Sequence, residues 1–121
     1  MLEQLETGIP DIVCFRLSGK MLDADHQVLA PCIEDVLQRE GSVRLLAELE
    51  DFHGWDWQAA WREFRFGARH YHDIRRIAMV GNCKREEYLV GLIRPFTRAE
   101  VRYFDKDKMN AAWYWLQDEE L

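Results

Sequence analysis

The chain predicts an α/β domain: a mixed five-stranded sheet with about four helices. Three observations lead there. Two short apolar runs at the N-terminus flank Gly8-Ile9-Pro10-Asp11, which has the chemistry of a tight turn. Beyond them, strand-like runs alternate with helical stretches of ten or more residues, the pattern of βαβ units and a mostly parallel sheet. Ile77 to Val80 (IAMV) is a continuous apolar run, as in a strand buried on both faces.

Taken in order, Leu2 to Thr7 and Ile12 to Leu17 make an antiparallel hairpin, and Ser18-Gly19-Lys20 breaks it. A helix follows over Ala24 to Arg39, with Leu29, Cys32, Ile33, Val36 and Leu37 on one side and Asp23 or Asp25 as its cap. Pro31 inside that stretch predicts a kink or an earlier short turn, and Glu40-Gly41 stops the helix. Val43 to Leu49 is the third strand. The chain then turns at His53-Gly54 into a helix from Trp55 to Tyr71. After the strand at Ile77–Val80, Gly81-Asn82 leads into a helix from Lys84 to Ile93, ended by Pro95. Val101 to Phe104 is the last strand and Lys108 to Gln117 the last helix.

With 121 residues, one domain over 1–121 is the natural organisation. Apolar residues at 48% and charged residues at 31% describe a chain that can bury a core without staples. The net charge of −6 argues against nucleic acid as a partner, since phosphate contacts need a basic field. Cys14, Cys32 and Cys83 form no CxxC pair, so reduced thiols and a cytoplasmic location are expected. The acidic start MLEQLETGIPD lacks a basic region followed by an apolar run, so no signal peptide is expected. No run approaches the roughly 20 apolar residues of a membrane span.

Three strings carry a family likeness across nearly the whole chain: VRLLAELEDFHGWDW at Val43–Trp57, RRIAMVGN at Arg75–Asn82 and RPFTRAEVRYFDKDKMNAAWYWL at Arg94–Leu116. With the order of elements, they make the chain resemble the SpoIIAA-like branch of the STAS superfamily. The resemblance implies a likeness to anti-sigma-factor antagonists and, more distantly, to CRAL-TRIO lipid-binding domains. It also implies apolar-ligand binding and membrane association, and brings no reaction with it. The chain departs from the phosphorylatable antagonists at one place. Where they carry a serine, Asp51-Phe52-His53-Gly54-Trp55-Asp56-Trp57 has no hydroxyl, so a switch that adds phosphate charge has no acceptor.

The aromatic helix is the main candidate site. At roughly 100° per residue, Trp57, Trp61, Phe64 and Tyr71 share one face with Ala60 and Ala68, and this face is expected to cover the sheet. Trp55 and Phe66 fall on the opposite face among Arg62, Arg65 and Arg69. Aromatics beside arginines suit a membrane or partner surface, here Trp55, Arg62, Phe66 and Arg69. Adjacent Trp113, Tyr114 and Trp115 point in three directions, so one of them lines a cleft or is exposed. If their helix borders the aromatic helix, the two frame an apolar pocket. Asp51, at the carboxyl end of a central strand, is the best polar candidate. The expected ligand set is therefore Asp51, Trp55, Trp57, Trp61, Phe64 and Trp113.

Other constellations are weaker. His70 and His72 lie about 200° apart on a helix and cannot share an ion, and His26 and His53 are distant in sequence, so no metal is expected. Cys83 at a helix N-terminus has no partner base placed by sequence. The pairs Glu86-Glu87, Asp118-Glu119-Glu120 and Glu48/Glu50-Asp51 read as solvated surface, although Glu48 and Glu50 share a face of a strand that should be largely buried. The expected function is a non-enzymatic binding module without cofactor, taking an apolar small molecule or lipid and associating peripherally with membrane. The alternative is a protein-interaction module or homodimer, related to the antagonists but lacking their serine.

Overall fold

Strands β1 (Leu2–Leu5) and β2 (Ile12–Met21) pair antiparallel, with Leu5 opposite Cys14, and β2 then begins a parallel run through β3 (Val43–Trp55), β4 (Ile74–Gly81) and β5 (Glu100–Asp105). The computed structural model describes residues 1–70 and 72–118. The five strands stand in the order β1-β2-β3-β4-β5. Each parallel strand is thus followed by its immediate neighbour, and right-handed crossovers then place every connecting helix on the same face. These helices are α1 (Asp23–Glu40), α2 (Trp57–Arg69) and α3 (Lys84–Ile93), while α4 (Met109–Gln117) covers the other face.

Alternation along the strands feeds two cores. Val13, Phe15, Leu17, Val43, Ala47 and Leu49 meet Leu29, Ile33 and Val36 of α1 on the three-helix face. Ile12, Cys14, Leu46, Ala78 and Val80 meet Ala112, Trp115 and Leu116 of α4 on the other. Burial raises the Cys14 thiol to about 11, and Glu48 adds to the rise. A single helix cannot cover the second face, so its remainder is ionic. Arg16 lies among Glu3, Glu48 and Glu50 at 3.2, 3.5 and 3.7 Å. Shared orientation of Glu48 and Glu50 thereby has its use.

Two buried or half-buried arginines tie α4 down. Arg44 holds Asp11 through two hydrogen bonds of 3.0 and 2.9 Å and donates to the Leu116 carbonyl at 2.8 Å. Arg76 donates to the carbonyls of Trp115 at 2.6 Å and Asp118 at 2.9 Å. Both cations thus sit at the negative end of the helix, where its carbonyls lack partners.

Several boundaries differ from the sequence-based expectations. The strand predicted over Leu2–Thr7 ends at Leu5. Ser18-Gly19-Lys20 does not end β2; it shifts the register there, with Gly19 at a φ of 62°. β3 runs past Leu49 to Trp55, and its extra residues are absorbed at Asp51 (φ 50°) and Gly54 (φ 90°). Pro31 does not divide α1, because it stands at an exposed position where the carbonyl that loses its partner can be hydrated. Asp25 serves the N-terminus of α1 by accepting from the Leu22 N–H at 2.8 Å.

The largest departure is Glu86, expected at the surface and instead fully buried. Past the Glu48–Val80 pair, β3 and β4 no longer hydrogen-bond to each other. There the Glu86 carboxylate accepts from the Phe52 N–H at 3.1 Å and from the Asn82 N–H at 2.9 Å. A Cβ at position 81 would overlap that carboxylate, so glycine is required there for a close approach. Tyr103 lies alongside, donating to the Cys83 carbonyl at 3.3 Å; burial first and the Glu86 charge second push its hydroxyl up to about 12.

Glu86→Ala leaves the buried Phe52 N–H and the part-buried Asn82 N–H without their acceptor and should lower stability by about 3 kcal/mol in denaturant titration. Glu86→Gln, which can accept at only one of its two ends, should lose roughly half as much.

Candidate functional site

The aromatic helix starts later than its sequence indicates, and this sets what it presents. Because β3 continues through Trp55, α2 begins at Trp57, with Asp56 as N-cap accepting from the Ala59 N–H at 2.7 Å. The Asp56 N–H in turn donates to the Met21 carbonyl at 3.0 Å, fixing the helix entry to the end of β2.

From that entry the helix turns its aromatic stripe outward. Trp57 is 84% exposed, Trp61 55% and Phe64 49%, whereas Phe66 is only 8% exposed. Ala60 and Ala68 are exposed on the same stripe, while Ala59 and Phe66 face the core. This reverses the expected faces. Trp57, Trp61 and Phe64 do not cover the sheet, and Phe66 is not a surface residue. Tyr71, assigned to the same stripe, lies outside the described residues, as do Glu119 and Glu120. Trp61 and Phe64 stack on each other, rings 5.9 Å apart and 15° from parallel.

Polar contacts join α2 to α1 beside the buried Ala59 and Phe66. Arg62 pairs with Asp23 of α1 at 2.6 Å and Arg69 with Glu34 at 3.6 Å. Glu63 meets His26 of α1, and burial raises the Glu63 carboxyl against the opposing pull of that histidine. Arg62 and Arg69, expected on a free surface, are therefore joined to the neighbouring helix. Arg65, which lies between them and the aromatic stripe on the helix wheel, is exposed. The physical reason is complementarity: α1 offers Asp23, His26 and Glu34 along the flank where α2 carries Arg62, Glu63 and Arg69. Asp23 and Glu34, eleven positions apart along a helix (three turns), were the sequence signal that the arginine side of α2 had a charged partner.

The other expected site residues are not brought together. Trp55 belongs to β3 and is half-buried, edge-on to Phe52 at 5.2 Å, with its indole N–H buried and without a hydrogen-bond partner. Trp113 is in α4 on the opposite face of the sheet, so it cannot frame a pocket with α2. Asp51 does stand at the carboxyl end of central β3, exposed, within 3.3 Å of Arg85 and 3.4 Å of His53. A shallow cleft of about 290 Å³ opens at the β1–β2 turn, bordered by Thr7, Ile9, Val36 and Arg39, and includes none of the α2 residues. Among the described residues no group of three or more His, Cys, Asp or Glu side chains is placed to hold a metal ion, and no helix is long and apolar enough to cross a membrane.

A model of the family described as SpoIIAA-like matches residues 12–117. A crystal structure of an uncharacterised protein from Shewanella loihica PV-4 with a SpoIIAA-like fold superposes with a TM-score of 0.77, at 21% identity, over 96% of this chain and 92% of that one. No curated protein matches the chain.

The reversed faces have a direct test. Phe66→Ala should destabilise the protein by about 3 kcal/mol. Trp57→Ser and Trp61→Ser should each change stability by less than about 0.5 kcal/mol in the same denaturant titration. Native Cys14 should stay unmodified by iodoacetamide at pH 8 and react once the chain is unfolded, because its thiol is raised to about 11.

Proposed function

The chain belongs to the SpoIIAA-like family, and on that premise we propose that it is a non-enzymatic binding module that docks on a lipid surface through the outward stripe of α2. The observation that carries this reading is the exposure of Trp57, Trp61 and Phe64 on one side of a helix whose opposite side is anchored. Indole and phenyl rings displayed together at helical spacing suit the boundary between headgroups and acyl chains. Exposed Arg65 lies beside Trp61 on the wheel and can meet phosphate while the rings enter the apolar layer. The anchored face keeps the helix in the plane of the surface, with the sheet behind it.

This places the lipid against the outside of α2 and not in a cleft beneath it, since the cleft near the hairpin turn lies elsewhere. A protein partner with an apolar groove is the competing occupant, because tryptophan and arginine are enriched in such interfaces. Sedimentation with vesicles separates them. Wild-type protein should co-sediment with phosphatidylcholine–phosphatidylglycerol vesicles. Trp61→Asp or Phe64→Asp should weaken that binding about tenfold each, the loss expected from one buried ring, with the melting temperature retained. Equal binding by these variants rules out the lipid surface, and absence of any vesicle binding favours the protein groove.

A further inference from the structure

The α1–α2 seam contains both described histidines that face carboxylates across it, and they enclose one aromatic ring. Phe66 has the His26 ring edge-on at 5.6 Å and the His70 ring at 4.6 Å. His26, on α1, is buried and meets Glu63 of α2. His70, the C-cap of α2, meets Asp73 through Nδ1 at 3.0 Å and faces Glu34 of α1 through Nε2 at 3.7 Å. That Nε2 is buried without a hydrogen-bond partner.

We propose that this seam is a proton-dependent latch: α2 is held on α1 by the one proton that His26 and Glu63 hold between them, and rising pH releases it. The consequence for lipid docking rests on the membrane reading above; the latch itself does not.

The charged groups facing the seam are Asp23 and Glu34 from α1, Arg62, Glu63 and Arg69 from α2, and Asp73 from the turn before β4. Arg62 is matched by Asp23, and Arg69 shares Glu34 with His70. Removing the proton held between His26 and Glu63 therefore leaves the Glu63 carboxylate in the seam with no cation to match it. The sheet side contributes apolar residues, so nothing there replaces the lost charge.

The sign follows from linkage. Glu63 is raised above its ordinary value chiefly by burial, so its contribution is present at low pH and is lost as pH rises through the docked value. The docked helix is therefore the better proton holder. The undocked helix would expose Phe66 in addition to Trp57, Trp61 and Phe64, enlarging the apolar surface offered to lipid.

Amide hydrogen exchange at several pH values, corrected for intrinsic chemistry, tests the latch without lipid. The opening constant for α2 amides should rise three- to tenfold per pH unit over part of the range above the ordinary glutamate value of about 4.3, the upper bound being one proton released per opening. Amides of α4 should not follow. His26→Gln with His70→Gln should flatten the α2 profile, and Glu63→Gln, which keeps the shape and cannot ionise, should flatten it in part even if the histidine variant loses its fold. A wild-type profile without pH dependence, a rise shared equally by α4, or an unchanged slope in Glu63→Gln overturns the proposal. A pH-dependent α2 profile in a protein that binds no vesicles supports the latch and removes the membrane reading.

Discussion

A single carboxylate stands where the sheet opens. Parallel strands diverge at their carboxyl ends, and a buried N–H released from the ladder needs an acceptor. Glu86 supplies the acceptor for both the Phe52 N–H of β3 and the Asn82 N–H just past the end of β4, from the first turn of α3. That arrangement requires a glycine at 81 and lets β3 run on past its partner toward the α2 entry. The positions of α2 and α3 follow from it. The carboxylate substitutes for a stretch of missing strand.

Downstream of that opening, α2 is held in an unusual way for an amphipathic helix. Ordinarily the apolar stripe faces the core and the charges face water. Here Ala59 and Phe66 give a narrow apolar footing, ion pairs join its arginine flank to α1, and the wide aromatic stripe is outside. A protein that gained nothing from display would be expected to bury those rings, since each contributes roughly 1.5–3 kcal/mol when taken out of water. Their exposure is the main reason for assigning a binding role to this face.

The architecture was legible in the sequence because periodicity and turn chemistry act locally. The hairpin around Gly8-Pro10, the apolar run Ile77–Val80 and the stop at Gly41 all lie where their residues place them. The site was legible in composition but not in orientation. Hydrophobic periodicity finds the aromatic stripe of α2 without saying which way it points. That direction depends on β3 overrunning to Trp55 and on Asp23, His26 and Glu34 arriving from another helix. Glu86 was missed for a related reason: adjacent glutamates at a helix start look solvated, and the donors that bury one of them come from strands far away in the sequence. The clue available was Gly81 directly before that helix, a residue that permits close approach.

Arg44 shows how such long-range dependence bears on the route to the folded state. Its guanidinium joins Asp11, 33 residues away, to the carbonyl of Leu116, 72 residues away. Closing the longer loop from an open chain costs roughly 0.7 kcal/mol more than the shorter one. The hairpin turn and β3 therefore come together more cheaply than β3 and α4. Until α4 arrives, the guanidinium remains hydrated on an incomplete sheet face beside Leu46 and Ile12. Docking of the last helix then removes a charge from water and covers that face in the same step, which couples its assembly to a β2–β3 pairing already in place.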